Sequence, residues 1–237
     1  MELFRFLFVC LLSCFSIVAV AQPNFAKDPL KVGLGLSGFG YLGDMSESQS
    51  SFSRFYPGAN FSLQTENRKA LKIQLNGGFG KFSEQYDGDP PQVGAHIEPT
   101  TFVETSFFYG DLRMKYRFFT RYRFQPYLSI GAGLLFFTPR DKNGKLLKTR
   151  SQTRAEGESY STSVPQVPAT IGLQAIVNRN IYLGLGYTYR FVPTDYLDNI
   201  GELGNRKGFD SLYNLQLSLY FILKPQEIAY PTSSSTR

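Results

Sequence analysis

The chain has 237 residues, enough for one domain and short for two, with 42% hydrophobic and only 19% charged side chains. Its 22 glycines, 22 phenylalanines and 15 tyrosines, with no tryptophan, suit strands and turns better than helices. The formal charge of +6 is scattered and interleaved with carboxylates rather than gathered into a basic face or motif, which argues against a nucleic-acid partner.

Arg5 precedes an apolar run from Phe6 to Ala21, and Ala19-Val20-Ala21 places small residues before Gln22. This pattern predicts a secretory signal over residues 1–21, cleaved between Ala21 and Gln22. The run is shorter than the ~20 residues a spanning helix needs. Leu11-Leu12-Ser13-Cys14 loosely resembles a lipobox, but cleavage there would leave an apolar stretch on the mature chain. Both cysteines, Cys10 and Cys14, fall inside the signal, so the mature chain would hold no disulfide and no thiolate metal site. Residues 22–29 then form a short periplasmic segment.

Beyond Ala21 no apolar run is long enough for a membrane helix, so any membrane form must be a closed barrel. Eight segments alternate with period two. Their apolar faces are Val32-Leu34-Leu36, Ala59-Phe61-Leu63, Leu71-Ile73-Leu75 and Leu112-Met114-Tyr116-Phe118 in the first half. In the second half they are Leu128-Ile130-Ala132-Leu134, Ile171-Leu173-Ala175, Leu183-Leu185-Tyr187 and Leu215-Leu217-Leu219. The opposite faces are mostly Gly, Ser, Asn and Gln, with charges concentrated in the fourth segment.

Connectors alternate strictly long and short, which a Greek-key sandwich gives no reason to expect. The reading is an all-β, eight-stranded antiparallel up-and-down transmembrane barrel over residues 30–223. It has four long outer loops, short periplasmic turns and a disordered periplasmic tail over residues 224–237.

So narrow a lumen must be filled by side chains. Lys72, Arg113, Lys115, Arg117 and Arg190 are expected inside, paired with Asp111 and Glu104. Aromatics near strand ends are expected to form two interfacial girdles. The outer one comprises Tyr41, Phe55, Tyr56, Phe79, Phe136, Phe137, Tyr189, Phe191 and Tyr213. The inner one comprises Phe118, Phe119, Tyr122, Phe124, Tyr127, Tyr220 and Phe221.

The second outer loop reads as acidic, with Glu84, Asp87, Asp89 and Glu98. The third is basic in its first half, and Lys142-Asn143-Gly144-Lys145 suggests a type I′ hairpin tip extending strands five and six. Asp141-Lys142-Asn143-Gly144 lacks the spacing and closing glutamate of a calcium loop. The single histidine, His96, has no nucleophile motif beside it, and no phosphate or dinucleotide motif is present. No catalytic residue, cofactor or metal is therefore expected.

Several segments resemble one family. They are Tyr41-Leu42-Gly43-Asp44, the run from Pro126 to Gly133 leading to Phe136-Phe137-Thr138-Pro139, Glu156-Gly157, and above all Thr194-Asp195-Tyr196-Leu197-Asp198-Asn199. The family is the group of small outer-membrane barrels that includes PorG of the type IX secretion system. Arg154-Ala155 before Glu156-Gly157 and the Ser-rich tail depart from its pattern. The resemblance implies a non-catalytic barrel that anchors or scaffolds an envelope or secretion assembly in a Gram-negative outer membrane. Its periplasmic partners would meet Arg68, Lys69, Arg121, Arg123 and Arg179 on the turns. Its other partners are outer-membrane lipid and lipopolysaccharide, the latter expected on the basic loop; the oligomeric state is left open. A surface-loop binding protein or narrow pore is the alternative, and a lipid-modifying barrel enzyme comes after it. Asp195 and Asp198 are read structurally, as Asx-turn caps of the loop above strand seven.

Overall fold

A computed structural model of the chain describes residues 29–43, 55–65, 70–85, 102–150, 157–200 and 209–223. The expected signal with its Ala21–Gln22 cleavage site, the tail, Arg68, Lys69 and His96 lie outside the described residues.

Period-two alternation produces strands wherever it was read. They are β1 (Leu30–Leu42), β2 (Tyr56–Thr65), β3 (Leu71–Gln85), β4 (Phe102–Arg117), β5 (Phe124–Arg140), β6 (Ser163–Ile176), β7 (Ile181–Phe191) and β8 (Ser211–Leu223). Each pairs antiparallel with its sequence neighbour, and β8 closes on β1 over thirteen residues from Leu30↔Leu223 to Leu42↔Ser211. Closure leaves no open edge, as a spanning sheet requires.

Along every strand the apolar set read from the sequence faces outward. Leu36, Phe61, Leu75, Leu112, Ile130, Ile171, Leu185 and Leu217 are all exposed on the outer wall. Such a surface is a solubility failure in water and a match to hydrocarbon in a bilayer. The inner face carries Ser, Thr, Asn, Gln, Gly and nearly all the strand charges.

The girdle expectation needs correction. Tyr41, Tyr56, Phe137, Tyr127 and Tyr220 point into the barrel rather than sit in the interface. Strand parity is the cause: Phe136 faces out, so its neighbour Phe137 must face in.

The third-loop turn also differs from expectation. Only Gly144 has positive φ (75°), whereas a type I′ turn needs it at both central residues. Asp141 sets the actual turn, its carboxylate accepting from the backbone N–H of Asn143 (2.9 Å) and Lys145 (2.8 Å). The chain then forms a local bridge, Arg140↔Leu146, and a short 3-10 turn rather than extending β6.

Candidate functional site

The lumen holds the densest polar chemistry. β4 supplies most of it, because its odd-numbered residues from Asp111 to Arg117 share the inner face. Asp111 is the centre. Its carboxylate accepts from Arg113 Nε and Nη2 (2.5 and 2.9 Å), Arg190 Nη1 (2.9 Å) and Asn76 Nδ2 (3.0 Å). Arg113 also donates to Thr170 Oγ1 (2.8 Å) and Arg190 to Gln166 Oε1 (3.1 Å).

Facing glycines make room for this layer. A Cβ on Gly133 would lie 2.5 Å from that of Asp111, and one on Gly131 would lie 2.8 Å from Arg113 Cγ. The small residues of β5 are thus the spatial complement of the charges of β4.

Among the described residues the lumen holds more cations than carboxylates, and tyrosine rings face several of these cations. Arg190 lies 3.6 Å from the Tyr109 ring centre, Lys115 3.7 Å from Tyr127 and Lys31 3.7 Å from Tyr182. Such contacts stabilise a desolvated cation by about 2 kcal/mol. Lys115 also donates to Gln64 Oε1 (3.3 Å), and Arg117 Nη1 to Gln125 Oε1 (3.0 Å). Lys72 is buried in the same periplasmic half.

Glu104, expected inside, is on the outer wall and pairs with Lys81 at 3.1 Å. It stands seven residues from Asp111, and an odd separation places it on the opposite face. Conversely, Glu84, read as an acid of the second loop, is an inward-facing buried residue of β3.

The outer mouth is sealed differently. Phe39, Phe82, Phe107, Leu135, Phe137, Val164 and Leu212 form an aromatic and aliphatic plug, and Val192 and Leu197 enter it from the β7–β8 connector. The family-motif segment Thr194–Asn199 is therefore a cap folded into the mouth. Leu197 is fixed by its carbonyl, which accepts from Thr105 Oγ1 (2.6 Å), and its N–H, which donates to Asp210 Oδ2 (2.8 Å). Asp210 N–H donates back to the Thr194 carbonyl (2.8 Å).

Asp198 makes the expected Asx turn, accepting from Ile200 N–H at 2.9 Å. Its other oxygen faces the Tyr41 hydroxyl at 2.8 Å, and that hydroxyl is also 2.8 Å from Asp210 Oδ1. A Cβ on Gly43 would fall 1.6 Å from the same hydroxyl, so a side chain here would have to displace Tyr41. Asn199 holds a left-handed φ of 67°, and its side chain accepts from Tyr160 (2.9 Å). Tyr160 stacks on Tyr196, whose hydroxyl donates to Glu158 (2.7 Å). Asp195 is only half-buried beside this cluster.

Asp210 is the cap residue that sequence reading missed. It lies one residue before a strand with nothing local to mark it. Lys31 was also missed, although its parity against Val32 and Leu34 would have found it.

At the opposite end, Arg121, Arg123 and Arg179 are exposed on short turns, apart from the lumen charges. The β4–β5 turn adds Phe118, Phe119 and Tyr122, also exposed, which line a hollow of about 390 Å³.

An apolar outer wall, a closed sheet and a charged, filled lumen define a small integral outer-membrane β-barrel. The chain matches the family described as outer membrane protein beta-barrel domain over residues 7–221, and it belongs to that family. In fold it is similar to Neisserial surface protein A, with a TM-score of 0.52 at 12% identity, covering 82% of this chain and 97% of the other. Ail of Yersinia pestis is also similar, with a TM-score of 0.47 at 13% identity and coverage of 83% and 99%. OprG of Pseudomonas aeruginosa gives 0.43 at 11% identity, with coverage of 82% and 93%. No curated protein matches the chain in sequence.

Proposed function

We propose that this barrel is a closed, non-catalytic anchor or scaffold for an envelope assembly, with the type IX secretion apparatus as the class of assembly its sequence resembles. The carrying observation is that the interior is occupied at both levels. The Asp111–Arg113–Arg190 layer fills the middle, and the motif segment with the aromatic plug fills the outer mouth. A passage so filled favours no transport role, which leaves the two rims as working surfaces.

On the periplasmic side the β4–β5 turn supports the reading. Phe119 and Tyr122 are about two-thirds exposed, in edge-to-face contact, beside Arg121 and Arg123. Exposed aromatics next to arginines are the composition of protein contact sites.

A photo-crosslinking residue at Arg121, introduced in cells, tests this. Recovery of a defined periplasmic protein, lost on combining Phe119→Ala with Tyr122→Ala, is the expected outcome. Recovery of lipid alone would overturn the scaffold reading.

One observation favours a second reading, that the third outer loop binds surface polyanions. Lys142 and Lys145 are exposed on a turn held rigid by Asp141, to which Arg150 is paired at 3.0 Å.

A further inference from the structure

Eleven charged residues lie within the eight strands, and eight face the lumen: Lys31, Lys72, Glu84, Asp111, Arg113, Lys115, Arg117 and Arg190. The other three, Lys81, Glu104 and Arg140, face outward. They are neighbours, at the outer ends of β3, β4 and β5, where Ser83↔Glu104↔Arg140 form one cross-strand row. One step lower, Lys81↔Ser106↔Thr138 form the next row, and below it stands a row of three rings, Phe79↔Phe108↔Phe136. Phe108 and Phe136 are stacked at 4.5 Å. A groove of about 500 Å³ runs between these rows, lined by Phe79, Lys81, Ser106, Phe108, Phe136 and Thr138 among others. Directly beneath, Gly110 faces outward with open space where a side chain would be.

Depth decides what such a groove meets. Phe108 is eight residues from Tyr116 on the outer face of β4. At ~3.4 Å per residue and a tilt of ~40°, that separation is roughly 21 Å along the membrane normal, close to the ~25 Å apolar band. The ring row therefore lies at the outer edge of hydrocarbon. Lys81 stands about 5 Å above it and Glu104 with Arg140 about 10 Å above, at headgroup level.

We propose that this rim is a binding site for a phosphorylated acyl-saccharide lipid of the outer leaflet. Acyl chains lie in the groove over the three rings and the Gly110 notch. Lys81 and Arg140 face the phosphate from either side of β4. The Lys81–Glu104 ion pair keeps the ammonium at headgroup height. Glu104 accepts from sugar hydroxyls, and Ser106 and Thr138 complete a hydroxyl-bearing shelf. A phosphodiester lipid without a sugar would leave the carboxylate facing its phosphate, which disfavours it. The site rests on the outer-membrane placement and not on the scaffold reading, so each can fail alone.

The test uses the full barrel in phosphatidylcholine nanodiscs, titrated with diphosphorylated lipid A and with the same lipid dephosphorylated. The combined variant Lys81→Gln and Arg140→Gln should bind diphosphorylated lipid A about tenfold more weakly than wild type, as loss of charge-assisted contacts to a phosphate implies. The loop variant Lys142→Gln, Lys145→Gln, Lys148→Gln separates the rim from the basic third loop, since loss in the rim variant that exceeds loss in the loop variant assigns lipid A to the rim. Unchanged binding by the rim variant, equal binding of the dephosphorylated lipid, or loss confined to the loop variant would each overturn the site. Should the rim variant fail to fold by heat-dependent gel mobility, Gly110→Leu carries the same reading. It fills the notch, so about a tenfold loss supports the site and wild-type binding overturns it.

Discussion

Tyr41 has one hydroxyl proton and two carboxylates, Asp198 and Asp210, each at 2.8 Å. It donates to one of them, and two buried carboxylates this close do not both stay ionised. Asp210 is held above the usual carboxylate range, first by burial and then by the charge of Asp198, with Asp195 adding to it. A group whose folded value exceeds its unfolded one, near 3.9, binds its proton more tightly with the cap closed. The cap is therefore most stable below the unfolded carboxylate value and loosens as pH rises through the raised value of Asp210. Amide exchange at Leu197, which donates to Asp210, should accelerate over that interval. Asp210→Asn mimics the neutral acid and should flatten the profile; a wild-type rate with only the intrinsic pH dependence would refute the shared proton. Tyr41→Phe removes the bridging hydroxyl and should weaken the cap by about 1–3 kcal/mol, read as faster exchange at Leu197 with the barrel itself intact.

Strand β4 shows most plainly what one element encodes. Asp111, Arg113, Lys115 and Arg117 alternate with Leu112, Met114 and Tyr116, so one side must meet lipid and the other the lumen. Asp111 supplies a carboxylate to both Arg113 and Arg190, and all three are buried. Removing one partner of such a group strands the others, at a cost of about 3–5 kcal/mol. Asp111→Asn should accordingly lower the urea midpoint of unfolding in detergent micelles, while Lys81→Gln, on the exposed outer pair, should shift it by well under 1 kcal/mol. A midpoint unmoved by Asp111→Asn would show that the tyrosine rings carry the cations unaided.

The same alternation explains what was legible in the sequence. Strand number, facing and the inward set around Asp111 follow from parity, a local property. Glu104 obeys the same parity, which sets it on the outer face, whereas charge pairing alone points it inward. The partners of Tyr41 were not legible, because Asp198 and Asp210 lie 157 and 169 residues away and meet it only through barrel closure. The cation–tyrosine contacts were hidden for a similar reason. Tyr127 and Tyr220 look like interfacial residues by composition, and only the register of β4 and β5 brings Lys115 to Tyr127.

Across the whole molecule two unlike plugs stand in series, an apolar aromatic one at the outer mouth and a charged layer beneath it. Resistances in series add, so the tighter barrier sets the current and removing either one alone leaves the other. Leu197→Asp places a charge in the aromatic plug and should displace the cap, since an unpaired buried charge costs several kcal/mol. In planar bilayers the wild-type barrel and this variant should both stay near the baseline, because the Asp111 layer persists. Combining Arg113→Ser with Arg190→Ser opens the layer beneath an intact cap and should also stay near the baseline. Only the triple combination should give discrete conductance steps, because only then are the aromatic plug and the guanidinium partners of Asp111 both removed. Steps from Leu197→Asp alone would show that the charged layer is porous to ions and that the cap is the sole seal.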